Sequence, residues 1–148
     1  MDVPMTPTTE IVKALGGNKA LKHRVLAMDD LRQRVRAGLP FSVFEKVLEN
    51  FSLSREDVSK ALGLSIRTIA RRKREQRLSP DDSNKLVRLA RIAAQACQVL
   101  GGVEKASRWL KSENRALGNQ VPLYLLDTEI GARQIEEVLG RIEHGSYS

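Results

Sequence analysis

Between Ser65 and Pro80 the sequence reads SIRTIARRKREQRLSP, with six cations (Arg67, Arg71, Arg72, Lys73, Arg74, Arg77) in eleven positions and one acid, Glu75. Side chains of this kind bind polyanions. Arginine's planar fork can bond both acceptors on the major-groove edge of guanine, and further cations can grip phosphates. A solvated basic helix end would have the same composition, because cations favour the negative end of the helix dipole. Groups able to make or break bonds are sparse. His23 and His144 lie near opposite ends with no Cys/His cluster to ligate zinc, and neither G-x-S-x-G nor a phosphate-cradling glycine loop is present. The paired acids Asp29-Asp30, Asp81-Asp82 and Glu136-Glu137 suit helix starts and solvated faces. The single cysteine, Cys97, excludes an intrachain disulfide and, among Ala96, Val99 and Leu100, reads as a small buried thiol. The expectation is a binding protein with no catalytic residue, no metal and no cofactor.

Charge is unevenly distributed along the 148 residues. Residues 1–50 carry eight bases and six acids, 51–78 eight and three, and 79–148 nine and nine, giving +2, +5 and 0 of the total +7. A short middle segment therefore holds the footprint of a module that meets a polyanion, and the neutral last seventy residues have another task. No stretch approaches the ~20 apolar residues of a membrane helix, and the first residues lack a signal-peptide core, so a cytoplasmic protein with no membrane partner is expected.

Helix punctuation sets out the elements. Thr8 or Thr9 can cap a helix ending at Gly16-Gly17, a second runs from Asp29 to Ala37, and Ser42 can cap VFEKVLEN. Ser54 to Asp57 forms an S-x-x-D start, Ser65 opens the basic helix, and Ser79-Pro80 opens the longest one, which closes at Gly101-Gly102. Along that helix Leu86, Leu89, Ala90, Ala93, Cys97 and Leu100 form an apolar stripe, while Arg88, Arg91, Gln95 and Gln98 form a polar one. Helical segments follow at Val103 to Lys111, where Trp109 suits a core anchor, and after Thr128, where Ile135, Val138, Leu139 and Ile142 share a face. No window alternates as a strand does. The expected fold is all-α, with an N-terminal region 1–78 and a C-terminal region 79–148 joined by the long helix.

Within the first region, REDVSKALGLSIRTIARRKR has the order of a helix-turn-helix at about residues 53–78. Val58 and Leu62 face inward from the first helix, Gly63 supplies the turn, and Leu64, Ile66 and Ile69 give the second helix its inward side. Arg67, Thr68, Arg71 and Arg72 then fall outward, Ser65 can hold a phosphate at the helix start, and Lys73, Arg74 and Arg77 lie where groove-edge phosphates pass. Agreement of the glycine with the apolar positions of both helices favours DNA over a solvated face. Arg72 takes a late position that is apolar in most such motifs.

The chain resembles antitoxins of the Xre/MbcA/ParS type. The carriers are GLP at Gly38 to Pro40, LSREDVSKALGLSIRTIARRK at Leu53 to Lys73, the L-S-P start of the long helix, and VLGGVEKASRWLKSENRALGNQVPLYLLDTEIGARQIEEVLGRIEHG at Val99 to Gly145. The resemblance implies a toxin-binding domain at about 98–148, a RES-domain toxin that degrades NAD as its protein partner, and binding of the chain's own operator DNA. It also implies that the C-terminal end lies against the toxin near its active-site cleft. The residues so assigned are Ile135, Val138, Leu139, Arg141, Ile142, Glu143, Gly145 and Tyr147. A homodimer is expected from the pairing of operator half-sites. Two other readings stay open: a regulator without a toxin whose C-terminal domain dimerises, and a helical scaffold that binds no DNA. The first forty residues could extend the DNA-binding domain, form the dimer contact or be mobile.

Overall fold

The computed structural model describes residues 7–145. Among these residues the chain is helical throughout and contains no strand. In chain order the helices are α1 (Thr8–Ala14), α2 (Gly17–Leu21), α3 (Met28–Ala37), α4 (Phe41–Phe51), α5 (Arg55–Leu62), α6 (Ile66–Glu75), α7 (Pro80–Leu100), α8 (Val103–Leu110) and α9 (Glu129–Glu143), with short 3-10 turns at Arg115–Leu117 and Pro122–Leu125.

Four helix starts follow the local chemistry of their caps. The Ser54 hydroxyl accepts from the Asp57 amide at 3.0 Å while the Asp57 carboxylate accepts from the Ser54 amide at 2.9 Å, a reciprocal box that fixes the start of α5. Ser65, Ser79 and Thr128 accept from the amides of Thr68, Asp82 and Gly131 in the same way. Two starts differ from expectation. Pro7 rather than Thr8 or Thr9 precedes α1, and Pro40 rather than Ser42 precedes α4. Proline's locked φ leads the chain into the helix without a side-chain acceptor, and the earlier start of α4 brings Phe41 into the core, 5.2 Å from the ring of Phe44.

Helix α7 is the axis of the molecule, packed by α1, α3, α4, α5, α8 and α9. Neighbours on so many sides bury Leu86, Leu89, Ala90, Ile92, Ala93, Ala94 and Ala96 together, and the alanines allow close approach of the helices. Gln95, expected on the polar face, is buried too, with neither amide atom hydrogen-bonded. The regions before and after Ser79 share one continuous apolar core, with Trp109 packed against it.

Two sets of polar ties hold the elements that matter below. The Leu39 amide donates to the Ser83 hydroxyl at 2.8 Å, which donates to the Ser79 carbonyl at 2.7 Å, and the Leu78 amide reaches the Leu39 carbonyl at 2.8 Å. The α3–α4 loop is thereby fastened to the α6–α7 junction. On the other side, Lys111 and Ser107 donate to the Ser52 carbonyl at 2.9 and 3.3 Å, joining α8 to the end of α4.

Candidate DNA-facing and toxin-facing surfaces

The α5–α6 corner is built as a helix-turn-helix. Gly63 adopts the left-handed conformation (φ 64°) that ends α5, and the Ser59 hydroxyl bonds the Leu64 carbonyl, so the small side chain closes the turn from inside. Val58, Leu62, Leu64 and Ile69 are buried in that corner. Ile66 is not: at the first position of α6 it falls outside the corner and is 48% exposed. Its sequence-based inward placement is thereby corrected.

The six cations separate into two groups. Arg67, Arg71, Lys73 and Arg74 are exposed, and among the described residues their side chains make no ion pair or hydrogen bond within the chain. Ser65 is exposed and Thr68 half-buried beside them, the two hydroxyls 3.0 Å apart. Arg72 turns inward instead. Its Nε donates to the Asp82 carboxylate at 2.8 Å and its Nη1 to Glu75 at 3.0 Å. The hydrogen bond it gives to Asp82, followed by that to Glu75, holds the guanidinium more firmly in its charged form. The outward assignment of Arg72 is therefore corrected: a buried acid at the start of α7 captures the position that an apolar residue would fill. Arg77 donates to the carbonyls of Ala37 and Gly38 at 3.1 and 2.9 Å, so it buttresses the end of α3 while remaining exposed.

In the C-terminal part, α9 lies against α7 through a polar seam. Arg91 reaches Glu129 at 3.0 Å and Glu136 at 3.4 Å, and Arg88 donates to the Leu126 carbonyl at 3.0 Å. Burial pushes the Glu136 carboxyl upward, against the opposing pull of Arg91. Ile135, Val138 and Leu139 are fully buried and Ile142 partly so. The first three are core residues, a correction to their assignment as partner contacts, since the apolar face of a short helix is consumed by packing on α7. Arg141, Glu143 and Gly145 are exposed, and Tyr147 lies outside the described residues. The sequence reading passed over Ile130, 76% exposed at the start of α9, and Tyr124, exposed on the preceding 3-10 turn. Helical spacing from Ile135 and Leu139 was enough to place Ile130 outward.

The two surfaces belong to one rigidly tied unit. Lys111 pairs with Asp57 at 3.3 Å, and Lys60 of α5 lies 5.9 Å from the centroid of the Tyr124 ring. Partial burial raises the Asp57 carboxyl, but the bonds from Ser54 and the Lys111 ammonium outweigh it and the net direction is downward. A carboxyl held low when folded stabilises above its unfolded value near 3.8, and that contribution disappears as pH falls through the folded value. Lys111→Met should therefore cost about 0.5 kcal/mol through this pair at neutral pH, and its cost should shrink as pH falls below 3.8 toward what the lost Lys111–Ser52 bond alone contributes, read from urea unfolding across that range. Near Cys97 a groove of about 330 Å³ is lined by Glu10, Lys13, Asn50, Phe51 and Val103, and burial pushes the thiol up, away from the reactive thiolate.

Comparison with known proteins finds a family region on each side of α7. Residues 30–91 match the family model of the antitoxin Xre-like helix-turn-helix domain, and residues 95–145 match the antitoxin Xre/MbcA/ParS C-terminal toxin-binding domain. The Antitoxin Xre of Photorhabdus laumondii is 33% identical over 113 residues, covering 75% of this chain and 76% of its own length. The chain belongs to the Xre antitoxin family. The Antitoxin Xre of Pseudomonas putida KT2440 is 33% identical over 122 residues (81% and 76% of the two chains), and that of Yersinia enterocolitica 29% over 116 (77% and 78%). As an Xre-family antitoxin, this chain has its helix-turn-helix on α5 and α6 and its toxin-binding domain from the end of α7 through α9. The two family regions meet inside α7, the helix that both pack upon.

Proposed function

We propose that this antitoxin neutralises a RES-type, NAD-degrading toxin by covering its active site, and that as a homodimer it binds the operator of its own operon. The toxin and the steric mode of inhibition rest on the family resemblance. The DNA reading rests on one observation of this chain: of the six cations in the basic run, the four exposed on α6 have no partner among the described residues while the other two are used by the fold. These four exposed cations are available to phosphates and base edges, and the match to a helix-turn-helix family model favours that use over simple solvation. Non-enzymatic action is part of the same proposal, supported by the likeness to relatives named antitoxins.

In this reading Arg67, Thr68 and Arg71 meet base edges, Ser65 and the first amides of α6 hold a phosphate, and Lys73 and Arg74 grip the backbone. Arg77 and Arg72 position the helix. The toxin lies against the exposed side of α9, where Ile130, Arg141 and Glu143 project, with Gly145 and the last residues beyond.

The test of the DNA arm is a mobility shift with the DNA upstream of the gene. Arg71→Ala should weaken specific binding by about 1–3 kcal/mol, whereas Arg74→Ala should lower affinity for operator and random DNA alike and reduce the salt slope by about one. Equal losses on both DNAs for Arg71→Ala would remove that residue from the base-reading set, and no shift at all would end the operator reading.

A further inference from the structure

The exposed side of α6 is not uniformly charged. Positions four apart lie above one another on a helix, which gives α6 two adjacent rows. One is basic: Arg67 and Arg71. The other is apolar: Ile66, with 48% of its surface exposed, and Ala70, partly exposed. Ile66 is left about half uncovered at the corner that buries Leu64 and Ile69, although it belongs to the same helix start. An isoleucine left open beside unpartnered arginines, at the end of the helix that reaches furthest into the groove in this motif, matches a specific feature of the major groove. Thymine is the one base that shows an apolar group there, its C5 methyl, next to the acceptors that guanine offers to arginine.

We propose that Ile66, assisted by Ala70, reads thymine methyl groups, so that each half-site contains at least one thymine next to the bases met by Arg67 and Arg71. This rests on the DNA-binding reading above and adds a base identity to it. The branched side chain at the first helical position has few rotamers, so it presents a fixed apolar surface at little entropic cost. The neighbouring Ser65 cap holds its backbone in place.

The experiment uses the full chain and a duplex selected by it from a randomised DNA pool. In that duplex each thymine is replaced singly by deoxyuridine, which removes the methyl group and nothing else. Wild type should lose roughly fourfold in affinity at one or two thymines per half-site, the factor that burying one such group is worth. Ile66→Ala should bind the thymine and uracil duplexes equally while retaining its preference for guanine at the arginine positions. Ile66→Val, which keeps the branched shape, should retain most of the discrimination. Equal binding of all uracil-substituted duplexes by wild type, with specific binding otherwise intact, would overturn the inference alone. Discrimination persisting unchanged in Ile66→Ala would also overturn it. Failure of the pool to yield any preferred sequence would overturn it together with the base-reading role of α6.

Discussion

Gly131→Ala is expected to destabilise the toxin-binding domain by about 4 kcal/mol or more and to abolish toxin binding with it. The reason is the closeness of the Pro122–Leu125 turn to the first turn of α9. A methyl group at position 131 would stand 2.7 Å from the Leu125 carbonyl carbon and closer still to its oxygen, which is backbone and cannot rotate away. The amide of Gly131 is meanwhile held by the Thr128 cap at 2.9 Å. Relief requires the turn to move off α9, and the same turn carries Tyr124, which touches Lys60 on the helix-turn-helix. Thermal unfolding should show the loss directly, and because both regions share one core the DNA-binding part should melt with the rest. A transition unchanged within 1 kcal/mol would mean that the turn and α9 are not packed as described.

Arg72→Ala is expected to cost about 2–3 kcal/mol, measured by urea unfolding. Its loss would leave the Asp82 carboxylate, 5% exposed, without its guanidinium partner. Breaking a buried pair by removing one member costs about 3–5 kcal/mol, and here the positive start of α7 compensates part of the charge. Arg72→Lys should recover some stability but not the bridge from Asp82 to Glu75, which needs two donors in a fixed fork. The effect on DNA should be an equal loss for all sequences, through displacement of α6. A stable Arg72→Ala protein with altered base preference would restore Arg72 to the groove-facing side.

These two positions mark the boundary of what could be read from sequence. The caps at Ser54, Ser65, Ser79 and Thr128 were legible because a capping residue and its amide lie within three positions of each other. The helix-turn-helix was legible for the same local reason, with Gly63 between two short apolar patterns. Contacts between distant segments were not. The pairing of Arg72 with Asp82, the burial of Gln95 under neighbours on several sides of α7, and the use of Ile135, Val138 and Leu139 for packing on α7 depend on how helices meet. Amphipathic spacing shows that a face is covered and leaves open whether the cover is the chain itself or a partner. That is why the buried side of α9 was assigned to the toxin while Ile130, on its open side, was passed over.

The loss of those three residues from the proposed contact surface also changes how the toxin arm is tested. Removing α9 would open the core, so its failure to neutralise would say nothing about contact. Ile130→Asp leaves the core intact: the position is 76% exposed, and an acid in the first turn of a helix is favoured by the dipole. The most direct measurement is the NAD content of cells that express the RES-type toxin proposed as the partner of this antitoxin together with wild type, Arg71→Ala or Ile130→Asp, each present at equal level. Wild type and Arg71→Ala should preserve NAD and Ile130→Asp should not, which would place toxin neutralisation on α9 and separate it from the DNA face of α6. Full protection by a folded Ile130→Asp, or NAD loss with Arg71→Ala, would contradict the division of the chain into these two surfaces.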